Sequence, residues 1–212
     1  MEEEFWQTRW REKRIAFHEN RPNDLLEQHV HRLDLNPGDR VFLPLCGKAV
    51  DLDWLADKQL QIVGVEFNQG AVEEVFARRG LTPEVGSFGA LTAFQASDLS
   101  LFVGDFFELT REMIGPIDAI YDRAALVALP DETRSRYVKN LPELTGSARQ
   151  LLISYDYDQS QTEGPPFSVP NAEIERLYQD RYAVEPVASR AITGSLAKRC
   201  SGQENVLLLT GL

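Results

Sequence analysis

A chain of 212 residues, 43% hydrophobic and 26% charged, suits one domain with one core, since domains commonly run about 100–200 residues. Its 22 basic and 33 acidic residues leave a net charge of −11, which repels phosphate backbones and argues against nucleic acid as a partner. No apolar run approaches the roughly 18 residues of a membrane helix, and the start MEEEFWQTRW has neither a basic n-region nor an apolar h-region, so no membrane and a cytoplasmic location are expected. Cys46 and Cys200 lie far apart without CxxC spacing, which predicts reduced thiols and neither a disulfide nor a zinc site.

In chain order, Trp6 and Trp10 are four apart in a run without Gly or Pro, so a helix would set both indoles on one face. After Arg21-Pro22-Asn23, helical spacing returns at Leu25, Leu26, His29, Val30 and Leu33 before the turn Asn36-Pro37-Gly38. His29 and His31 are two apart, and no shared metal is expected of them. Residues 41–45 read as a buried strand, 50–56 as a helix, 61–65 as a second strand and 70–79 as a second helix. The rhythm continues with strands over 99–103, 119–121 and 151–155, helices over 131–141 and 172–179, and a closing antiparallel pair over 182–187 and 206–210. Alternation of this kind predicts a doubly wound, mostly parallel α/β sheet with right-handed crossovers and an antiparallel edge.

In such sheets the ligand lies outside the carboxyl ends of the strands, where strand order reverses. Those ends carry Leu45-Cys46-Gly47-Lys48, Glu66, Asp105-Phe106 and Asp122-Arg123. Glu66 follows Gly47 by 19 residues, the separation at which a carboxylate at the second strand's end reaches both ribose hydroxyls. The first turn holds one glycine, so the GxGxxG that admits a pyrophosphate is absent, and "PLCGKA" lacks the features of a P-loop. Dinucleotides and triphosphates are therefore disfavoured. S-adenosylmethionine, an adenosine without phosphate, is the nucleoside these residues suit, which points to a methyltransferase.

The segments "FWQTRW", "AFH", "VFLPLCGKAVDLDWLA", "VGVEF", "YDRAALVALP" and "GPPFSVPNAEIERLY" together resemble the thiopurine S-methyltransferase family, in order and over nearly the whole chain. The resemblance implies a class I fold with a seven-stranded Rossmann-like sheet, as one domain over residues 1–212 with a helical lid at 1–35 and a core at 40–212. It implies methyl transfer from S-adenosylmethionine to the sulfur of small aromatic or heterocyclic thiols, by a monomer. Some bacterial members are linked to tellurium and selenium detoxification. Carried over by position, Trp10, Leu45, Glu66 and Arg123 would bind the cofactor, with Trp6, Phe17, Asp105 and Phe106 completing the pocket. Arg123 would favour the thiolate or shuttle the proton through water, and Asp156, Pro165, Pro166 and Phe167 would line the acceptor side. The stretch "LAKRCSGQENV" departs from the family pattern, leaving open whether Lys198 or Arg199 adds a second cation there.

Plainer readings stand beside these. Trp6 and Trp10 also suit a staple packing a terminal helix, Glu66 a solvated strand end, and Asp122-Arg123 a surface pair. Cys46 lacks an evident His partner and is not expected to act as a nucleophile. Two rivals to thiol methylation are a methyltransferase acting on a selenium or tellurium species or another small nucleophile, and a nucleoside-binding module without turnover.

Overall fold

The computed structural model describes residues 3–12 and 19–212. Its centre is one nine-stranded sheet in the order β3-β4-β5-β2-β1-β6-β7-β9-β8. The strands are β1 (Arg40–Leu43), β2 (Gln61–Glu66), β3 (Glu84–Phe88), β4 (Leu91–Ala96), β5 (Leu99–Val103), β6 (Ala119–Arg123), β7 (Arg149–Tyr157), β8 (Tyr182–Ala191) and β9 (Gly202–Gly211). The five central strands β5, β2, β1, β6 and β7 are parallel, while β3, β4, β9 and β8 are joined antiparallel at the two sides. Successive parallel strands run outward in one direction to β2 and in the other to β6 and β7, so the order reverses at β1.

The parallel strands are apolar on both faces because both faces are covered. On β1, Val41 and Leu43 enter a cluster with Leu52 and Leu55 of α3 (Val50–Ala56) and Val72, Val75 and Phe76 of α4 (Gln69–Arg78). Phe42, between them, points the other way to Tyr137, Val138 and Leu141 of α5 (Asp131–Thr145) and Ile174 and Tyr178 of α6 (Asn171–Tyr178). Leu52 and Leu55 are fully buried, contributing about 1.5–3 kcal/mol each. The Lys48–Glu74 ion pair, which joins the turn before α3 to α4 and has a largely exposed glutamate, contributes about 0–1 kcal/mol.

The sheet has two strands more than the seven predicted, because β3 and β4 form a hairpin added outside β5. Every residue of β3 is exposed, so it carries no alternation for a sequence reading to detect. The last two strands are longer than predicted. β8 continues past Pro186, which cannot donate to a ladder, by shifting register between Pro186 and Ala188.

At the amino-terminal side, α1 (Glu3–Arg11) precedes α2 (Asp24–His29). α2 is capped by the Asn23 side chain, which accepts from the Leu25 and Leu26 amides. The Asn23 amide in turn donates to the buried Asp51 carboxylate at 2.7 Å, and the Tyr121 hydroxyl donates to the same group at 3.1 Å. The chain entering the core is thereby tied to both α3 and β6. Among the described residues, no helix is long and apolar enough to cross a membrane.

Candidate active site

The first turn after β1 is tight. Leu45 and Gly47 both adopt positive φ, 48° and 54°, a region costly for leucine and natural for glycine. That backbone turns the Cys46 amide onto the Val65 carbonyl at 3.0 Å and the Gly47 amide onto Glu66 Oε2 at 2.9 Å. Glu66 Oε1 accepts from the Asn68 amide at 2.9 Å, and the Trp10 side chain is a further hydrogen-bond partner of the carboxylate. Burial raises the Glu66 pKa, opposed by these donors. Glu66 is thus a buried carboxylate fixed at the tip of β2, and not a solvated strand end.

α1 lies across this turn. Trp6, Arg9 and Trp10 all line the cleft, and the Lys48 ammonium stands 5.9 Å from the centre of the Trp10 ring. Downstream of α1, Glu19 Oε1 pairs with Arg123 Nη2 at 3.2 Å, which brings the N-terminal segment against the tip of β6. Asp122, next to Arg123, is no surface partner for it. Its carboxylate is fully buried and accepts from the Tyr137 hydroxyl at 2.7 Å and the Leu126 amide at 3.1 Å.

The cleft between these groups has a volume of about 370 Å³, within the roughly 300–1,000 Å³ of small-molecule sites. Its lining takes Leu45, Gly47, Glu66 and Phe67 from the ends of β1 and β2, and Arg123, Tyr155 and Glu204 from β6, β7 and β9, together with Pro165, Pro166 and Arg199. Four arginines, Arg9, Arg123, Arg190 and Arg199, line it in a chain of net charge −11.

Of the residues expected from the sequence, Trp6, Trp10, Leu45, Glu66, Phe106, Arg123 and Pro166 meet at this cleft. Phe17 lies outside the described residues. Phe106 reaches the wall, yet its ring packs at 4.9 Å from Tyr137 and 5.3 Å from Phe107, so much of it belongs to the core. Three of the expected residues are not among those lining the cleft. Asp105 does not line the cleft, since its carboxylate caps the short helical turn Phe106–Glu108 by accepting from the Phe107 amide at 3.0 Å. Asp156 is exposed on β7, because alternation along that strand turns the neighbouring Tyr155 inward instead. Phe167 is drawn away from the cleft, its amide on the Val127 carbonyl at 2.6 Å and its ring against Gly164 and Arg134. Of the two C-terminal cations, Arg199 lines the cleft and Lys198 does not.

Arg9, Glu19, Tyr155, Arg190 and Glu204 were missed. Tyr155 was legible in principle, one residue before Asp156 at the end of a predicted strand. Glu204 sits in a polar stretch that gave no strand signal.

The donor set fits S-adenosylmethionine: a pinned turn without a phosphate-binding glycine loop, a buried carboxylate at ribose position, and an aromatic wall. Solved structures share the fold. A methyltransferase from Burkholderia thailandensis described with bound 1,6-didemethyltoxoflavin and S-adenosylhomocysteine is similar with TM-score 0.64 at 12% identity, over 98% of this chain and 86% of its own. A TehB-like S-adenosylmethionine-dependent methyltransferase from Corynebacterium glutamicum is similar with TM-score 0.59 at 12% identity, over 99% of this chain and 98% of its own. The switch-point cleft and the sheet that carries it define a class I methyltransferase with S-adenosylmethionine as cofactor. Within that class the chain belongs to the thiopurine S-methyltransferase family, whose profile it matches over residues 1–209. Proteins named thiopurine S-methyltransferase from Xanthobacter autotrophicus and Gluconobacter oxydans are 47% and 43% identical, covering 99% and 95% of this chain and 99% and 92% of their own lengths.

Proposed function

We propose that this enzyme transfers the methyl group of S-adenosylmethionine to the sulfur of small aromatic or heterocyclic thiols. The observation that carries the reading is the Arg123 guanidinium at the tip of β6, across the cleft from Glu66 and beside a wall of Pro165, Pro166 and Tyr155. Glu66 takes the ribose hydroxyls and Leu45 and Gly47 supply the close backbone. Trp6 and Trp10 cover the cofactor and can face its positive sulfur, a cation–π contact of about 0.5–2 kcal/mol. At the acceptor end a fixed positive charge favours the thiolate over the neutral thiol. The sulfonium is already an activated leaving group, so the protein's main tasks are alignment and exclusion of water, which supply up to about 7–11 kcal/mol for well-placed partners. We assign α1 the role of a lid over a single domain.

The test is transfer of labelled methyl from S-adenosylmethionine to mercaptopurine, beside an Arg123→Ala variant and a no-acceptor control. The expected result is turnover that falls in the variant while S-adenosylhomocysteine still binds. Cofactor binding with no methylation of any thiol would move the acceptor to a selenium or tellurium species or another nucleophile, which the same assay run with those acceptors would identify.

A further inference from the structure

Across β7, β9 and β8 the register sets Tyr155 opposite Glu204 and Glu204 opposite Arg190, so the three side chains stand in one row on one face. All three line the cleft. Glu204 is only 5% exposed. Its Oε2 accepts from Arg190 Nε at 2.8 Å and lies 2.7 Å from Nη2, a forked pairing that offsets the cost of burying the charge. Its Oε1 instead accepts the Tyr155 hydroxyl at 3.3 Å. The remaining Arg190 nitrogen is fixed by Asp24 at 2.5 Å, where α2 begins.

A tyrosine oxygen carries one proton and two lone pairs. With its proton committed to Glu204, Tyr155 has acceptor capacity to offer the cleft. Arg123 stands on the neighbouring strand, where β6 pairs with β7, and an arginine takes up no proton. A neutral thiol or thione must lose one when its sulfur is methylated. We propose that Tyr155 is a catalytic residue that takes the acceptor's proton and relays its own hydroxyl proton to Glu204, with Arg190 as the positioning residue that holds Glu204.

This inference rests on the thiol reading above. In the step, the acceptor sulfur forms its bond to the methyl carbon as the carbon–sulfonium bond breaks, and that electron pair stays on the departing sulfur. The proton on the acceptor's sulfur or ring nitrogen passes to the Tyr155 oxygen. The phenol's original proton passes to Glu204 Oε1 and from there to water. The charged groups around the row are Arg123 on β6, Arg190 on β8, Arg199 on the loop before β9, and Glu19 and Asp24 from the N-terminal side.

The experiment compares wild type, Tyr155→Phe and Glu204→Gln on a series of heterocyclic thiols of graded acidity across pH, with S-adenosylhomocysteine affinity measured by calorimetry. The expected result is unchanged cofactor affinity and a kcat lower by about 10²-fold for acceptors that are protonated at the assay pH. Acceptors already ionised should be little affected, and raising the pH past each acceptor's own pKa should restore the variants. Tyr155→Phe removes a single oxygen and decides the matter if Glu204→Gln does not fold. A loss that ignores acceptor ionisation, or no loss, overturns the relay. A wild type that binds cofactor yet methylates no thiol overturns the thiol reading instead.

Discussion

Asp122 and Arg123 are consecutive, yet strand alternation sends them to opposite sides of the sheet and to opposite fates. Burial lifts the Asp122 carboxyl from its ordinary 3.8 to about 6, with the Tyr137 hydroxyl and the Leu126 and Ala125 amides opposing the rise. Between those two values the unfolded chain has released this proton while the folded chain keeps it, so acidification favours folding and stability is lost as pH rises from about 4 to about 6. At one pKa unit per 1.36 kcal/mol the full swing is about 3 kcal/mol. Melts of wild type and Asp122→Asn over this range should therefore diverge, the variant lacking the loss; parallel curves would contradict it. Glu66→Gln sets an amide against the Gly47 and Asn68 amides, which need an acceptor. It should weaken S-adenosylhomocysteine binding by about 10–100-fold in calorimetry, the worth of one charged hydrogen bond at about 1.5–3 kcal/mol. Glu66 was legible because strand-end position and spacing from Gly47 both survive in one dimension. The capping role of Asp105 was not legible, because a capping carboxylate and a ligand-binding one look alike until the next turn is seen.

At the level of elements, the parallel core was readable from the sequence because doubly covered strands such as residues 62–65 are continuous apolar runs. The flanks were not. β3 has no buried face, and β9 begins with Gly202 and Gln203 ahead of the buried Glu204 and Asn205, whose polar character hides a strand. Polar residues buried inside a strand are what a cleft wall requires, so the reading failed where function overrides the usual pattern. At Gly202 β9 also leaves no room against β7: a Cβ there would sit 2.2 Å from the Asp156 carbonyl oxygen and 2.6 Å from Tyr157 Cβ. Gly202→Ala should lower stability by about 1–3 kcal/mol and lower activity with it by shifting Glu204, read by denaturant titration and by the methyl-transfer assay. An unchanged midpoint would mean that β7 yields more easily than its backbone contacts imply. For α1, amide exchange over residues 3–12 should slow when S-adenosylhomocysteine is added if the segment acts as a lid; equal protection would refute that role.

For the molecule as a whole, three N-terminal contacts reach three separate elements, two strands of the sheet and one helix on its face. Glu19 meets Arg123 on β6, the Asn23 amide meets Asp51 on α3, and Asp24 meets Arg190 on β8. None was legible, because each joins residues remote in sequence. Through Arg190 the entry to α2 touches the row that ends at Tyr155, so the N-terminal segment and that wall of the cleft share one support. The chain has three tryptophans, and two of them, Trp6 and Trp10, line the cleft, while Trp54 lies on α3 with the Lys58 ammonium 4.1 Å from its ring centre. The protein therefore carries its own optical gauge: ligand entering the cleft changes the surroundings of most of its indoles. Emission on adding S-adenosylhomocysteine should shift in the wild type and in Trp54→Phe, and lose most of that shift only when Trp6 and Trp10 are both replaced by Phe, giving an occupancy readout that needs neither a label nor turnover.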